Sequence, residues 1–288
     1  MIAGHHRRGL LATHWTLAGA SVGQRPRWSL DERIAAAADA GFEAISFLAH
    51  ELVALRHRSL LDEVQASLER HGVVAAEVEF LSSWADRNDG VDEFEIAVLD
   101  AAREMGIAQV NAGLLNDAPH SLPELGRRLG RLAREAEARR CSIALEFVAG
   151  TAVPDLGSAL AVIESSETNI GLIFDVWHAY RSGVPLAELS QVPASVLRTV
   201  QLSDAPSRPL HVLTQEMVRG RLLPGEGDIP LTAMIAQLDS TGASYRASVE
   251  IMSDAHVART RVDAAHLAWR SARDILMRAG QVDLGGNS

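Results

Sequence analysis

The sequence predicts a single (β/α)8 barrel with an oxygen-rich site at the carboxyl ends of its later strands. Eight short apolar runs alternate with amphipathic helical stretches, a pattern that indicates repeated strand–helix units and a parallel sheet. The chain has 288 residues, which accommodates eight such units. A doubly wound open sheet is the alternative, but the segment after the first run is a poor version of the Gly-rich phosphate loop of that fold.

The strand candidates are short runs rich in apolar residues, and helical stretches separate them. In chain order they are GLLATHW (9–15), EAISFLA (43–49), VVAAEVEFL (73–81), IAQVNAG (107–113), CSIALEF (141–147), IGLIFDV (170–176), LRTVQLS (197–203) and RASVEIM (246–252). The predicted domain spans 1–288, with 1–7 and 281–288 as tails.

The helical stretches carry start and stop signals of their own. SLDERIAAAADAG (29–41) opens with Ser29 three residues before Glu32, which is the spacing of a capping box, and closes on a glycine. The other stretches are 59–72, 91–106, 121–140 and a C-terminal amphipathic stretch at 264–280. We expect His266 and Trp269 in the last of these to pack on the outside of the barrel.

Composition excludes several classes of function. The net charge is −10, which disfavours binding to a nucleic-acid backbone. All 27 basic residues are arginine, so a lysine Schiff base and a P-loop lysine are excluded for this sequence. The single cysteine, Cys141, permits no intrachain disulfide. We find no transmembrane run and no secretory signal, and therefore expect a cytoplasmic protein without a membrane partner.

Four consecutive strand candidates each carry one oxygen-bearing side chain near the carboxyl end, where barrel active sites lie. They are Glu146, Asp175, Gln201 and Glu250. One such acid alone could equally be a helix cap or an ion-pair partner. Three carboxylates and an amide oxygen together suit Mg2+ or Mn2+ better than a structural zinc.

Other polar residues are candidates for the wall of the pocket. His178 follows Asp175 by three residues, and we favour a functional role for it over a structural one. The glycine-rich loop at 220–230 includes Glu226. Arg219, just before the loop, and Arg221, within it, could meet an anionic group. Residues near the other strand ends that could line the pocket are His14, Trp15, His50, Glu79, Trp84, Arg87 and Asn111. Of these, His14, His50, Arg87 and Asn111 are predicted to bind substrate.

The segments ALEFVAG, GLIFDVWHAY, VQLSDAP, LPGEGDIP and SVEIM, in this order, resemble the xylose-isomerase-like barrel superfamily. That group includes sugar (phosphate) isomerases and epimerases, inosose dehydratases, 3-dehydroshikimate dehydratases and endonuclease IV. The resemblance implies one divalent metal ion. We expect Mn2+ or Mg2+, with Co2+ or Zn2+ as the alternatives. Its implied ligands are Glu146, Asp175, Gln201 and Glu250, and His178 matches the histidine that contacts or deprotonates substrate.

The sequence departs from the relatives at three points. Gln201 stands where many ketose epimerases have a histidine. A glutamine at this position is more similar to the pattern of the bacterial 3-dehydroshikimate dehydratases. The segment FLSSWADRND, however, offers only Arg87 in place of the Phe-Arg-rich stretch of those dehydratases. The additional zinc ligands of endonuclease IV and the catalytic lysine of true xylose isomerases are missing from the sequence.

The expected function is that of a metal-dependent isomerase or epimerase acting through an enediolate. Glu146 and Glu250 would remove and return the proton. The alternatives are a metal-dependent dehydratase with His178 as the base, and a non-catalytic barrel that binds a sugar-like ligand. The expected partner is a small sugar, polyol ketone or cyclic hydroxy-ketone rather than nucleic acid, and a homodimer is plausible.

Overall fold

The computed structural model describes residues 8–86, 90–209 and 212–281. Eight parallel strands close into a barrel, in which each strand pairs with the next and β1 pairs with β8. The strands are β1 (Arg8–Ala12), β2 (Ala44–Leu48), β3 (Val74–Leu81), β4 (Gln109–Ala112), β5 (Ser142–Glu146), β6 (Gly171–Asp175), β7 (Leu197–Leu202) and β8 (Arg246–Val249). The predicted (β/α)8 barrel is confirmed, and closure of the sheet excludes the doubly wound alternative.

The helices surround the barrel and fill the connections between its strands. They are α1 (His14–Leu17), α2 (Leu30–Ala40), α3 (Ala49–His57), α4 (Leu61–His71), α5 (Glu93–Glu104), α6 (Leu122–Ala138), α7 (Leu156–Ser165), α8 (Val176–Arg181), α9 (Leu186–Leu189), α10 (Leu213–Arg219), α11 (Leu231–Ser240), α12 (Asp254–Val257) and α13 (Arg261–Ala279). In the described part of the chain, no helix has the length and apolar character needed to cross a membrane.

Local signals fix the helix ends largely where the sequence predicts them. Ser29 and Glu32 form the capping box of α2, and Gly41 ends that helix with a φ of 102°, a conformation that favours glycine. In α13, Trp269 packs against the core and His266 Nε2 lies 2.9 Å from Asp39 Oδ2, so both residues are on the outer layer as predicted.

The interior of the barrel contains a buried polar cluster as well as apolar side chains. Glu77 Oε1 accepts the Thr199 hydroxyl at 2.6 Å, and Oε2 accepts Asn111 Nδ2 at 3.0 Å. Gln109 Nε2 donates to Asn111 and to Thr199 at 3.0 and 3.1 Å. These bonds link β3, β4 and β7 across the barrel, and burial raises the pKa of Glu77 above its usual value.

Candidate active site

The carboxyl ends of β5 to β8 position the four polar side chains that the sequence singles out. β5 ends at Glu146 and β6 at Asp175, while Gln201 lies in β7 in register with Asp175. Glu250 follows the last residue of β8. All four side chains are buried, and parallel strands of a barrel end on the same rim. The structure therefore places this predicted set on one rim.

Arg221 is a fully buried cation among these carboxylates. Its Nη1 lies 2.6 Å from Asp175 Oδ2 and 3.1 Å from Glu250 Oε2. Its Nε donates to Met217 O at 3.1 Å, and its guanidinium stands 5.2 Å from the centroid of the Trp177 ring. The guanidinium thus compensates negative charge on both β6 and the segment after β8.

The pKa values of Glu146, Asp175 and Glu250 are shifted in different directions by their surroundings. Burial raises the pKa of Glu146 well above its usual range, and the negative charges of Glu250 and Asp175 raise it further. Burial also raises the pKa of Glu250 to about 7, although Arg221 opposes that rise. Burial acts in the same direction on Asp175, but Arg221 and His178 hold the pKa of this acid below its usual value. Asp175 is therefore ionised at neutral pH, while Glu250 exchanges its proton there.

His178 occupies the first turn of α8, and its ring faces the same cluster. Ala149 N–H donates to Nδ1 at 3.1 Å, so the neutral ring carries its proton on Nε2. Nε2 lies 3.7 Å from Glu146 Oε1 and 3.3 Å from Arg221 Nη2, and the second contact brings two donors together when Nδ1 accepts from Ala149. Burial lowers the pKa of His178 to about 4. At neutral pH the ring consequently presents an N–H donor to the cluster.

Asp175 also has the structural roles that a strand-end acid often has. Its Oδ1 accepts the backbone N–H groups of Trp177 and His178 at 2.7 and 3.2 Å, which makes it the N-cap of α8. Its other oxygen binds Arg221. The Asp175 carboxylate thus caps α8, pairs with Arg221 and belongs to the polar cluster.

The donor set is compatible with a metal ion. A carboxylate oxygen of Glu146, one of Asp175 and a ring nitrogen of His178 lie within 4.8 Å of one another. Gln201 gives a second indication, because its buried Oε1 has no hydrogen-bond partner in the described structure. An unsatisfied buried oxygen is costly, and a cation would satisfy it. Because Arg221 already binds Asp175, a cation there would compete with the guanidinium.

A cavity of about 530 Å³ opens beside this cluster. The buried charged or polar residues in its wall are Glu79, Glu146, His178, Arg221 and Glu250. Much of the remaining wall is apolar and includes Trp15, Phe80, Leu115, Val148, Met217 and Met252. His50 also lines the cavity, and its ring stacks on Phe94 with centroids 4.3 Å apart.

A model of the xylose isomerase-like TIM barrel family matches residues 34–278. The chain belongs to this family. The inosose isomerase of Bacillus subtilis (strain 168) is 25% identical over 199 residues, covering 66% of this chain and 70% of that protein. The inosose isomerase of Halalkalibacterium halodurans is 30% identical over 126 residues, covering 43% of this chain and 44% of that relative. The chain therefore aligns with less than half the length of the second relative.

A solved structure agrees with this architecture. The structure of the IolI protein with a bound zinc atom superposes with a TM-score of 0.78, covering 93% of this chain and 98% of that chain. The two sequences are 20% identical, so the similarity concerns the fold. The expected relationship to xylose-isomerase-like barrels is confirmed.

Four described residues of the predicted substrate-binding set do not line the cavity of this xylose isomerase-like barrel, and two of them, His14 and Asn111, are buried. His14 is buried, with Nδ1 3.0 Å from Arg33 Nη1 and 3.2 Å from Glu51 Oε2, and burial lowers its pKa. Asn111 lies in the interior polar cluster, where it binds Glu77. His14 opens α1 instead of extending β1, and Asn111 lies in β4, where successive residues alternate between the faces of the strand, so a position near a strand end does not decide the direction of a side chain.

The remaining predictions for substrate binding fall on or near the loop that carries Arg221 and on the segment after β3. Arg219 is exposed and its Nη2 lies 2.8 Å from Asp254 Oδ2, outside the cavity wall. Glu226 is also exposed and does not line the cavity. Arg87 lies outside the described residues. The contacts of Arg219 and Glu226 give no support to their predicted role.

Glu79 is a cavity residue that sequence reasoning suggests only as one of several possible lining residues. It is buried at the end of β3 and accepts the Ser46 hydroxyl. Burial raises its pKa well above the usual range, and the charge of Glu250 raises it further. The available signal was the spacing of Glu77 and Glu79 in an apolar strand, since residues two apart share a face.

Two further buried acids hold the segment that carries Arg221, and sequence reasoning assigns neither of them this role. Asp204 accepts the backbone N–H groups of residues 205, 225 and 229 at 2.8, 2.8 and 3.0 Å. Glu216 Oε1, on α10, accepts Trp177 Nε1 at 3.2 Å and Arg181 Nε at 2.7 Å. These bonds attach the segment to α8 and to the end of β7, and so fix where Arg221 enters the cluster.

Proposed function

We propose that this protein is a divalent-metal-dependent isomerase or epimerase of a small polyol ketone. The observation that carries the proposal is the buried cluster of Glu146, Asp175, Glu250, His178 and Arg221, which opens into the cavity. It combines groups that take up and return protons with donors for a charged oxygen. The matched inosose isomerases support this reaction class and a cyclic polyol ketone as the substrate.

The residues that would hold the ion are Glu146, Asp175, Gln201 and Glu250. The support for Gln201 is its unsatisfied buried oxygen, and an all-oxygen set favours Mn2+ or Mg2+ over Zn2+. When bound, the ion supplies Lewis-acid polarisation of a carbonyl oxygen and thereby acidifies the neighbouring C–H.

The two glutamates are the groups that would move the proton. They stand on opposite sides of β6 and β7 in the order of the barrel, so they approach a ligand from different directions. Without the ion, burial raises the pKa of Glu250 to about 7 and raises that of Glu146 as well. A bound cation would lower both pKa values, so that one glutamate would be the carboxylate that accepts the proton and the other the group that returns it.

His178 and Arg221 would stabilise the negative oxygen that develops when the C–H proton leaves. His178 presents Nε2–H, because Nδ1 already accepts Ala149 N–H. A ring protonated in this way acts as a donor rather than as a base, which favours the isomerase reading over a dehydratase that uses His178 as its base. Arg221 adds a fixed positive charge in a buried setting.

The first experiment measures metal in the purified protein after EDTA treatment and reloading with Mn2+. We expect about one equivalent per chain in the parent and much less in Asp175→Asn. The matched control is Asp155→Asn, which alters the N-cap of α7 outside the cavity wall and should retain the metal. Equal metal content in all three proteins would contradict the proposed ligand set.

The second experiment follows deuterium exchange from deuterium oxide into an inosose by NMR, beside a panel of ketoses and 3-dehydroshikimate. Exchange next to the carbonyl with recovery of an isomeric ketone is expected. Loss of water from the substrate would instead indicate a dehydratase, and binding without exchange a non-catalytic barrel. Undiminished turnover in Glu250→Gln would contradict the proton-transfer role of Glu250.

A further inference from the structure

The cavity changes character from its buried wall to its mouth. Its innermost residues, here called the polar floor, are Glu79, Glu146, His178, Arg221 and Glu250, and each is at most 6% exposed. Apolar side chains in the same cavity are more accessible: Leu115 is 61% exposed and Val22 42%. Exposed Gln24 and His50 and half-buried Ser82 also line the cavity, so it has a polar floor and a wall nearer to solvent that is mostly, not wholly, apolar.

The apolar wall comes from several separate elements. Trp15 lies in α1, Phe80 in β3, Met217 in α10 and Met252 after β8, and all four are partly buried. Val148, after β5, is almost fully buried. Because these elements converge from different sides of the mouth, the apolar surface encloses a volume rather than forming a single exposed patch.

This wall exceeds what a bare polyol ketone uses. Every ring carbon of a cyclic polyol ketone carries an oxygen, so the rim of the ring calls for hydrogen-bonding partners and only its two small C–H faces can pack on apolar side chains. The polar residues of the floor can supply those partners, whereas the apolar wall supplies none. A cavity of about 530 Å³ is also within the range, roughly 300–1,000 Å³, of sites that enclose larger organic ligands.

We propose that the substrate is an amphipathic hydroxy-ketone, with an oxygen-rich head on the polar floor and an apolar or aromatic substituent against the apolar wall. This inference rests on the proposed function for the position of the head, and adds a subsite for the substituent. Flexible thioethers at Met217 and Met252 suit such a subsite, because methionine adapts to apolar groups and makes favourable contacts with aromatic rings.

The test uses ligands that share one head and differ in one group. Hydroxyacetone, 2-hydroxyacetophenone and cyclohexyl hydroxymethyl ketone each carry a carbonyl beside a hydroxyl, with a methyl, phenyl or cyclohexyl group attached. Binding to the full-length, Mn2+-loaded protein is measured by isothermal titration calorimetry. Both ring-bearing ketones should bind at least about tenfold more tightly than hydroxyacetone, because each buries additional apolar surface.

Variants locate the effect in the cavity. Leu115→Ser removes an apolar group from the exposed part of the wall without touching the floor. We expect it to reduce the preference for the ring-bearing ketones about threefold or more. Leu186→Ser is the matched control, since Leu186 is 38% exposed on α9 and is not part of the wall. It should leave the preference unchanged.

Several outcomes overturn the inference. These are equal binding of the three ketones, failure of all three to bind, or a preference that Leu115→Ser and Leu186→Ser leave equally intact. The exchange assay with an inosose distinguishes this failure from failure of the proposed function. Exchange without any preference for ring-bearing ketones removes only the subsite, whereas a wall-dependent preference without exchange into either an inosose or 2-hydroxyacetophenone removes the isomerase activity.

Discussion

Arg221→Met is the substitution that most directly tests the charge balance of the candidate site. It removes the guanidinium that faces Asp175 and Glu250, while the new side chain can still contact Trp177. The three charged side chains are 1%, 0% and 7% exposed, so little water can replace the lost partner. Breaking a buried ion pair from one side typically costs about 3–5 kcal/mol. We expect a loss of that size in EDTA, measured by urea unfolding.

The same variant should respond differently to metal. Mn2+ would no longer compete with the guanidinium for Asp175, so its affinity should rise at least about tenfold in isothermal titration calorimetry. Mn2+ at about a thousand times its dissociation constant stabilises the folded state by about 4 kcal/mol. Unfolding in saturating Mn2+ should therefore recover most of the stability that Arg221→Met loses in EDTA.

Arg219→Met is the matched control, because Arg219 is two residues away and pairs with Asp254 at the exposed surface. It should unfold at the urea concentration of the parent, with or without Mn2+. If Arg221→Met lost no more stability than this control, Arg221 would not be needed to neutralise the cluster. If Mn2+ failed to stabilise Arg221→Met, the metal would not share Asp175 with the guanidinium.

Three other outcomes follow from the site. Gln201→His should lower the dissociation constant for Zn2+ at least about tenfold, measured by competition with a chromogenic chelator, because imidazole is a stronger ligand than an amide oxygen; an unchanged constant would remove Gln201 from the ligand set. Glu250→Gln should slow deuterium exchange into an inosose by about a hundredfold or more, and Glu188→Gln, on the outer helix α9, should leave it unchanged. In EDTA, the pKa of Glu250 is raised from 4.5 to about 7 by folding, so its contribution to stability is fully present below the lower value and is lost as pH rises through the higher one. As pH rises from 4.5 to 7, the unfolding free energy of the parent should therefore fall by about 3 kcal/mol relative to that of Glu250→Gln. Parallel pH profiles of the two proteins would contradict the raised pKa.

The parts of this protein that depend on neighbouring residues can be predicted from the sequence. Strand and helix periodicity, the capping box of Ser29 and Glu32 and the glycine at the end of α2 are local signals, and the barrel follows from their order. The rim set of Glu146, Asp175, Gln201 and Glu250 can also be predicted from the sequence, because each residue stands near the end of a recognisable strand and parallel strands end together.

Only the tertiary structure decides which other side chains meet that set. Arg221 enters the cluster because Asp204 and Glu216 hold its segment against the end of β7 and against α8. Glu79 faces the cavity, whereas Asn111 turns into the barrel interior. Closure of the barrel brings together side chains that are distant in sequence, and the direction of each depends on strand register and on buried partners. Local pattern carries neither of these, which is why it predicts where the site lies but not its full membership.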